Sequence, residues 1–528
     1  MNDILNVMSQ VLSDQTDSLL IDENLNSIHR IHGLILEEKL NCSSLIDFYL
    51  NKLVVYNRFL NVLIKTNYDQ SKSSALKQDE YFKINKKLIG KLHCIPLLIK
   101  DNIDISGLPT TGAIKALRNQ IPNENAEVVN NLLKEGAIIL GKANLAELGN
   151  GGRYNSELGG ACKNPYDLKR TCGTSSSGSA ASVTSGLTLI SLGTDSTGSI
   201  IGPASINSIY GLRPPHGALN MSGIISLYKR EDTVGPFANY VDDLVLAYSI
   251  MAKNQTIYDY YKELVKIHET NILNNVFKIK IGYITNMEES FSLNSPLGIY
   301  SYQLDKEIKD KFNEFKENIA KIFDLKEVTL EERIYNKFIE IILPTFLSRV
   351  NCQNVCLKGE LNEYFASKER FDLDAPYKSF NEFLFKKYDS NDLRFNYLLN
   401  EFWKVFLNNS EILGANSSLE CGNACLNYTL LTNQVKFLVD EWFNRTNEAD
   451  ILIYPSVNSI PDLIDSSNQK PSNLFIASFT GYPSINVPIG FTKPSNSNYK
   501  ENLLSYPVGD QKKFKKASIV ARIANNQF

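Results

Sequence analysis

The sequence predicts an α/β protein built on one large mixed sheet with helices on both faces, and with a helical insertion in its second half. Three observations carry this expectation. Short, continuous apolar runs alternate with segments of helical periodicity, as doubly buried strands and their covering helices do. Residues 160–220 are rich in Gly, Ser, Thr, Ala and Pro yet flank apolar runs, which asks for close backbone packing rather than a linker. From about Tyr258 to Glu448, Lys, Glu, Asn and aromatic residues rise and helical periodicity takes over.

The elements follow in chain order. Residues 1–26 alternate polar residues with scattered Leu, Ile and Val and form an N-terminal extension. They lack the basic head and apolar block of a cleaved leader. Between Ser27 and Tyr56 the apolar residues recur at helical spacing, with Ser43 and Ser44 as caps for a second helix. FLNVLI (59–64) reads as a strand, IPLLI (95–99) as a buried strand ending at Lys100, residues 126–135 as a helix and AIIL (137–140) as another buried strand. GTSSSGSAASVTSGL (173–187) leads into apolar LTLISL (187–192) and a second small-residue turn, GTDSTGS (193–199). Residues 304–323 and 380–406 look amphipathic, within a substrate-side helical segment of about 290–440. Strand signals return in ILIYPSV (451–457) and ASFTGYPSINVPIGF (477–491), and residues 492–528 form a divergent tail. No internal repeat is visible.

Composition removes several function classes. The 528 residues are 43% hydrophobic and 21% charged, which gives ample apolar surface for a folded core. With 55 basic and 58 acidic side chains the formal net charge is −3, so nothing recommends a nucleic-acid partner. The short basic run Lys512, Lys513, Lys515 and Lys516 reads as a solvated helix face. No apolar run approaches the roughly 18 residues of a membrane span. A cytoplasmic address is expected, although export without a cleaved leader is compatible with the same N-terminus. Eight cysteines are too sparse for a disulfide scaffold. Cys352/Cys356 and Cys421/Cys425 fall at i, i+4; their spacing suits two unrelated buried pairs better than a zinc site. No metal and no cofactor are expected, and the oligomeric state is not legible.

Five histidines (His29, His32, His93, His216 and His268) lie in no context that marks a catalytic base, and the usual hydrolase, metalloprotease and nucleotide motifs are absent. Serine and lysine remain. Ser175, Ser176 and Ser177 precede a possible helix, Ser199 sits in the second small-residue turn, and Lys100 closes a buried strand. A serine nucleophile without histidine can use a neutral lysine as its base. That requires moving a lysine from about 10.4 to near 7, which burial at a strand end can do. Taken by composition alone, the same residues suit a surface lysine and a serine-rich loop without chemistry.

The motifs decide between these readings. LHCIPLLIKDNI (92–103), GAIILGKANLAELGNGG (136–152), NPYDLKRTCGTSSSGSAASVTSGLTLISLGTDSTGSI (164–200), DTVGPFA (232–238), ILIYPS (451–456) and TGYPSINVPIGF (480–491) stand in the order and spacing of the amidase signature hydrolases. The chain resembles that family over about residues 27–491, more loosely in the middle third. The resemblance implies the amidase signature fold and a Ser–cis-Ser–Lys triad. Lys100 matches the base, Ser175 the bridging serine behind a cis peptide bond, and Ser199 the nucleophile. Backbone N–H groups of Ser196, Thr197, Gly198 and Ser199 match the oxyanion hole, with Asp195 and Ser176 in support. What this implies is hydrolysis of a carboxamide C–N bond through an acyl-serine intermediate.

Departures from the pattern refine it. Where most members have Gly-Gly-Ser-Ile-Arg, this chain has Thr197-Gly198-Ser199-Ile200-Ile201, which removes the arginine partner expected for Asp195. The non-arginine residue after Gly-Ser-Ile and the run SGIISL (222–227) are similar to the peptide amidase branch, which implies small-molecule or peptide amides as substrate. The family's closing Pro-Val-Gly-Leu-Gln strand is Pro507-Val508-Gly509-Asp510-Gln511 here, with a charge in place of the core leucine. Two other readings stay open: a glutaminyl-tRNA amidotransferase A-type subunit, and a catalytically silent or partner-dependent binding protein.

Overall fold

The computed structural model describes residues 25–150 and 154–271. Beyond them it describes 280–284, 291–295, 298–302, 304–321, 324–328, 418–446, 451–453, 456, 461, 462, 464 and 475–489. Two helices open the described chain, α1 (Ile28–Leu36) and α2 (Cys42–Leu60), and bury Ile28, Ile31, Ile35, Leu45, Ile46, Leu50 and Leu53. The cap of α2 is Asn41 rather than the expected Ser43 and Ser44. The Asn41 side chain accepts from the Ser44 N–H, while Ser43 donates its N–H and hydroxyl to Asp79. Asp79 lies on α3 (Tyr68–Asn85), so one carboxylate satisfies helix-start donors and ties two helices together. The expected strand at 59–64 starts later, because α2 runs on to Leu60. Asn61 then ends it in the left-handed conformation (φ 53°).

The central sheet has seven strands: β1 (Leu63–Thr66), β2 (Pro96–Lys100), β3 (Ile138–Ala143), β4 (Ile190–Asp195), β5 (Tyr210–Arg213), β6 (Thr233–Ala238) and β12 (Ser484–Asn486). Their order is β1-β3-β2-β4-β6-β5-β12. β2 runs parallel to both β3 and β4, and the outer pairings are antiparallel. The mixed sheet and its flanking helices are the α/β architecture expected from the sequence. β2, β3 and β4 are buried along their whole length, which their apolar runs require. The covering helices are α3, α4 (Glu127–Lys134), α5 (Ser177–Thr184), α6 (Ile201–Ile206), α7 (Val241–Met251) and α8 (Gln255–Asn271).

The small-residue segment is packed core, not linker. Every residue of α5 but Thr184 is buried. A Cβ on Gly178 would lie 2.6 Å from the Asn144 nitrogen, and one on Gly193 would lie 2.7 Å from Ser176 Oγ. Helix and strand therefore approach at glycine distance, and this sets Ser176 against β4.

Past α8 lies a second, parallel sheet of β7 (Lys280–Ile284), β10 (Asp324–Val328) and β11 (Ile451–Ile453), in the order β10-β7-β11. The segment expected to be helical from about 290 opens instead with an antiparallel hairpin, β8 (Phe291–Ser295) and β9 (Gly298–Tyr302). Their alternating FSLNS and GIYSY patterns have a strand's period of two, which the helical average of the region concealed. Helix α9 (Lys306–Ala320) matches the expected amphipathic segment, and α10 (Ser418–Thr446) follows; residues 380–406 lie outside the described residues. Within the expected strand at 477–491, the first half belongs to α11 (Phe475–Thr480) and only Ser484–Asn486 pairs as strand. Residues 1–24 of the N-terminal extension, the basic run at 512–516 and the closing strand lie outside the described residues.

Two disulfides were not anticipated. Cys42 pairs with Cys94 (Cα–Cα 5.2 Å) and Cys162 with Cys172 (6.0 Å). Cys425 is also disulfide-bonded. Cys352 and Cys356 lie outside the described residues. Among the described residues, no helix is long and apolar enough to cross a membrane.

Candidate active site

Strands β3, β2 and β4 run in parallel, so their carboxyl ends meet on one edge of the sheet, where open α/β sheets bind ligands. Lys100 ends β2 there and Asp195 ends β4. The Lys100 side chain is fully buried. Its Nζ donates to Ser175 Oγ (2.8 Å), Thr194 Oγ1 (2.8 Å) and the Thr194 carbonyl (3.2 Å). Burial pushes its pKa down to about 7, against the raising influence of Asp195 and Asp232.

Ser175 lies on the turn into α5, and the Thr174–Ser175 peptide bond is cis. The Ser175 carbonyl accepts from the Ala146 N–H at 3.1 Å, which fixes the turn against the loop after β3. Ser176 is clasped to β4: its hydroxyl donates to the Thr194 carbonyl (3.0 Å) and accepts from the Thr194 N–H (3.3 Å). Its own N–H donates to the Ser199 carbonyl at 3.3 Å, joining the two serine-bearing turns.

The turn carrying Ser199 is organised by Asp195. One carboxylate oxygen accepts from the Gly198 N–H (2.7 Å) and from Arg213 Nε (3.1 Å); the other accepts from the Ile200 N–H (2.7 Å). Both side chains of the ion pair are fully buried. The expectation that Asp195 lacks a partner is therefore corrected: Arg213, at the end of β5, supplies the guanidinium. It also donates to the Glu231 carbonyl at 2.9 Å. Among the four expected oxyanion donors, the Gly198 N–H is engaged by Asp195. The Ser196 hydroxyl donates to Asp232, whose other oxygen accepts from the Leu227 (2.7 Å) and Tyr228 (2.9 Å) N–H groups.

Behind Lys100 lies a second buried ion pair. Lys142 Nζ stands 3.2 Å from Asp101, both side chains at 0% exposure, and also donates to Thr110 Oγ1 (2.9 Å). Thr111 donates its hydroxyl to Asp101. Sequence reasoning missed this pair, as well as Thr194, Asn102 and Arg213. For Arg213 the signal was present: a cation ends an apolar strand just before Pro214-Pro215.

His32 and His93 stand elsewhere. His32 Nε2 lies 3.0 Å from the His93 carbonyl, and His93 Nε2 lies 3.6 Å from Cys42 Sγ. Cys42, His93 and Cys94 bring three potential ligand atoms within 4.8 Å of one another. The two sulfurs are joined as a disulfide, however, and His93 Nδ1 accepts from the Ile89 N–H (3.3 Å), so the group offers no thiolate and no free imidazole lone pair on that side.

The family described as Amidase matches residues 44–298, a stretch that contains Lys100, Ser175 and Ser199. The chain is 28% identical to the A subunit of glutamyl-tRNA(Gln) amidotransferase from Saccharolobus solfataricus over 468 residues, 86% of this chain and 88% of that protein. It is 36% identical to its counterpart from Sulfurisphaera tokodaii over 220 residues, 41% and 45% of the two chains. Among solved structures it is similar to the peptide amidase of Stenotrophomonas maltophilia, with a TM-score of 0.67 at 23% identity over 89% of this chain and 91% of that one. Fold, motif order and sequence relatives converge on the amidase signature family, and the chain is similar to amide-hydrolysing enzymes of that family.

Proposed function

We propose that this enzyme hydrolyses the C–N bond of peptide amides or similar acyl amides, with Ser199 as nucleophile, Ser175 as proton relay and Lys100 as base. The observation that carries the reading is the 2.8 Å separation of Lys100 Nζ from Ser175 Oγ in a fully buried setting that lowers the lysine to about 7. Near that pH a substantial share of Lys100 is neutral and can take a proton. Ser175 passes its proton to Lys100 and takes the one from Ser199, and Ser199 Oγ attacks the amide carbonyl. Backbone N–H groups from Ser196, Thr197 and Ser199 bind the developing oxyanion. The relay then runs backwards: Lys100 returns the proton through Ser175 to the leaving nitrogen, and the C–N bond breaks. Water, deprotonated by the same relay, cleaves the acyl-Ser199 ester and releases the acid. Asp195 holds the Ser199 turn through the bonds to Gly198 and Ile200. The preference for peptide-like acyl groups rests on motif detail around Ser199 and in SGIISL.

The test is ammonia release from a panel of C-terminally amidated peptides and simple aryl and alkyl amides, beside a fluorophosphonate probe for the nucleophile. Wild type is expected to release ammonia and to be labelled at Ser199, and Ser199→Ala to do neither. Absence of both in wild type overturns the reading. A second reading, an amidotransferase A-type subunit, is favoured by the names of the sequence relatives. It requires partner subunits, so co-purification with two of them supports it, and turnover of the panel by the isolated chain counts against it.

A further inference from the structure

The three bonds made by Lys100 leave a question that the relay alone does not answer: what makes the lone pair of a neutral lysine face Ser175. A neutral amine has two N–H donors and one lone pair, and Nζ has three oxygens within reach. The Thr194 carbonyl can only accept, so it takes one N–H. The direction of the other two bonds depends on Thr194 Oγ1.

That hydroxyl is set by Asn102. Asn102 Nδ2 donates to Thr194 Oγ1 (3.0 Å) and to the Ile225 carbonyl (3.1 Å). Turning the amide over would set its oxygen against the Ile225 carbonyl, so the amide is fixed with its nitrogen towards Thr194. Thr194 Oγ1 therefore accepts from Asn102 and has its other lone pair for Lys100. The Asn102 backbone is anchored as well, its carbonyl accepting from the Ile225 N–H at 2.8 Å. Asn102 Oδ1 is buried without a hydrogen-bond partner, a cost that an apolar side chain would not carry.

We propose that Thr194 and Asn102 are positioning residues which direct the neutral Lys100 lone pair at Ser175 by accepting both of its N–H groups. The inference rests on the assignment of Lys100 as base. With Thr194 O and Oγ1 each holding an N–H, only the lone pair is left for the Ser175 hydroxyl. When Ser175 gives up its proton, the third N–H of the new ammonium donates back to Ser175 Oγ. The same three oxygens satisfy both states, and the lysine does not reorient during proton transfer.

Removing the Thr194 hydroxyl has two separable effects. The neutral amine can now donate to Ser175 instead of accepting from it, so activation of Ser199 slows. The ammonium form loses one of its three acceptors, so the lysine becomes harder to protonate. The experiment is the rate of fluorophosphonate labelling of Ser199, measured from acid to alkaline pH, in wild type and in Thr194→Val, Thr194→Ser, Asn102→Leu and Lys100→Ala. Thr194→Val is expected to label more slowly, by up to about 10²-fold, with its acid limb moved about one pH unit lower. Thr194→Ser, which keeps the hydroxyl, is expected to restore rate and limb together. Asn102→Leu is expected to slow labelling less, and keeps the inference testable if Thr194→Val fails to fold. A slow Thr194→Val with an unmoved acid limb marks a merely structural role and overturns the inference, as does wild-type labelling by Asn102→Leu, or by Thr194→Val, beside a slow Lys100→Ala. If Lys100→Ala labels like wild type, the base assignment itself is wrong.

Discussion

Lys100 shows at the scale of one residue how function and stability oppose each other. Its buried amine takes up a proton below about 7 when folded, against an ordinary value of 10.5. Between those values the unfolded chain holds the extra proton, so this residue makes stability rise with pH across that window and costs most at and below its lower edge. Lys100→Met removes the titrating group. Its stability relative to wild type should be highest below about pH 7 and fall towards pH 10.5, at up to about 1.4 kcal/mol per pH unit. Denaturant unfolding of both proteins at several pH values measures this slope, and a flat difference would show that Lys100 is not depressed in the folded chain. Lys100, Ser175 and Ser199 were legible as candidates because they stand in the order and spacing of the amidase signature motifs; the apolar and small-residue runs alone suited a surface lysine and a loop without chemistry. Thr194 and Asn102 were not. A threonine and an asparagine acquire their meaning only when the fold brings Ile225 and Lys100 within bonding distance of them.

Among the elements, the parallel core β3-β2-β4 was readable from its continuous apolar runs, and residues 173–187 form the packed structure that their apolar flanks imply. The ion pairs inside that core were less legible, because pairing across strands is set by register. Lys142 and Asp101 meet because β2 and β3 run side by side with a register shift between Leu97 and Leu98. Breaking the pair from one side strands a buried charge, so Lys142→Met should lose about 3–5 kcal/mol in chemical denaturation. A loss below about 1 kcal/mol would mean that Asp101 is not charged there. Gly178→Ala tests the close approach of α5 to the loop after β3. The added methyl meets main-chain atoms of Val62 and Asn144, which cannot move as a side-chain end can, so a drop in thermal midpoint well beyond the ordinary helix-propensity change is expected. The strand boundaries at 59–64 and 477–491 were misplaced for a local reason. Asn61 and the turn at Gly481 (φ 71°) divide each apolar run between a helix and a strand, and hydrophobicity alone does not register that division.

For the whole molecule, the cysteines were the least legible feature, since pairing cannot be deduced from spacing. Cys42–Cys94 closes 52 residues and links the start of α2 to the entry of β2; Cys162–Cys172 closes 10. By loop-closure entropy the longer bridge is worth about 4 kcal/mol and the shorter about 3 kcal/mol. Thiol titration of the unfolded, unreduced chain should leave Cys42, Cys94, Cys162 and Cys172 unlabelled, and reductant should lower the unfolding midpoint. Full labelling before reduction would refute the bridges. The same titration bears on the cytoplasmic address expected from the sequence, because persistent disulfides belong to oxidising compartments. The seven-stranded sheet, for its part, gathers Lys100 from one strand end, Asp195 from the next and Ser175 from the turn into the helix packed on them. The site is thus a property of the parallel core, which is where the sequence motifs are densest. The most direct test of that account is the pH dependence of amide hydrolysis by wild type and Lys100→Ala on a substrate from the amide panel. Wild-type activity should rise with pH through a limb near 7, as Lys100 loses its proton, and Lys100→Ala should be slower by several orders of magnitude at neutral pH. Near-normal turnover by Lys100→Ala at neutral pH would contradict it.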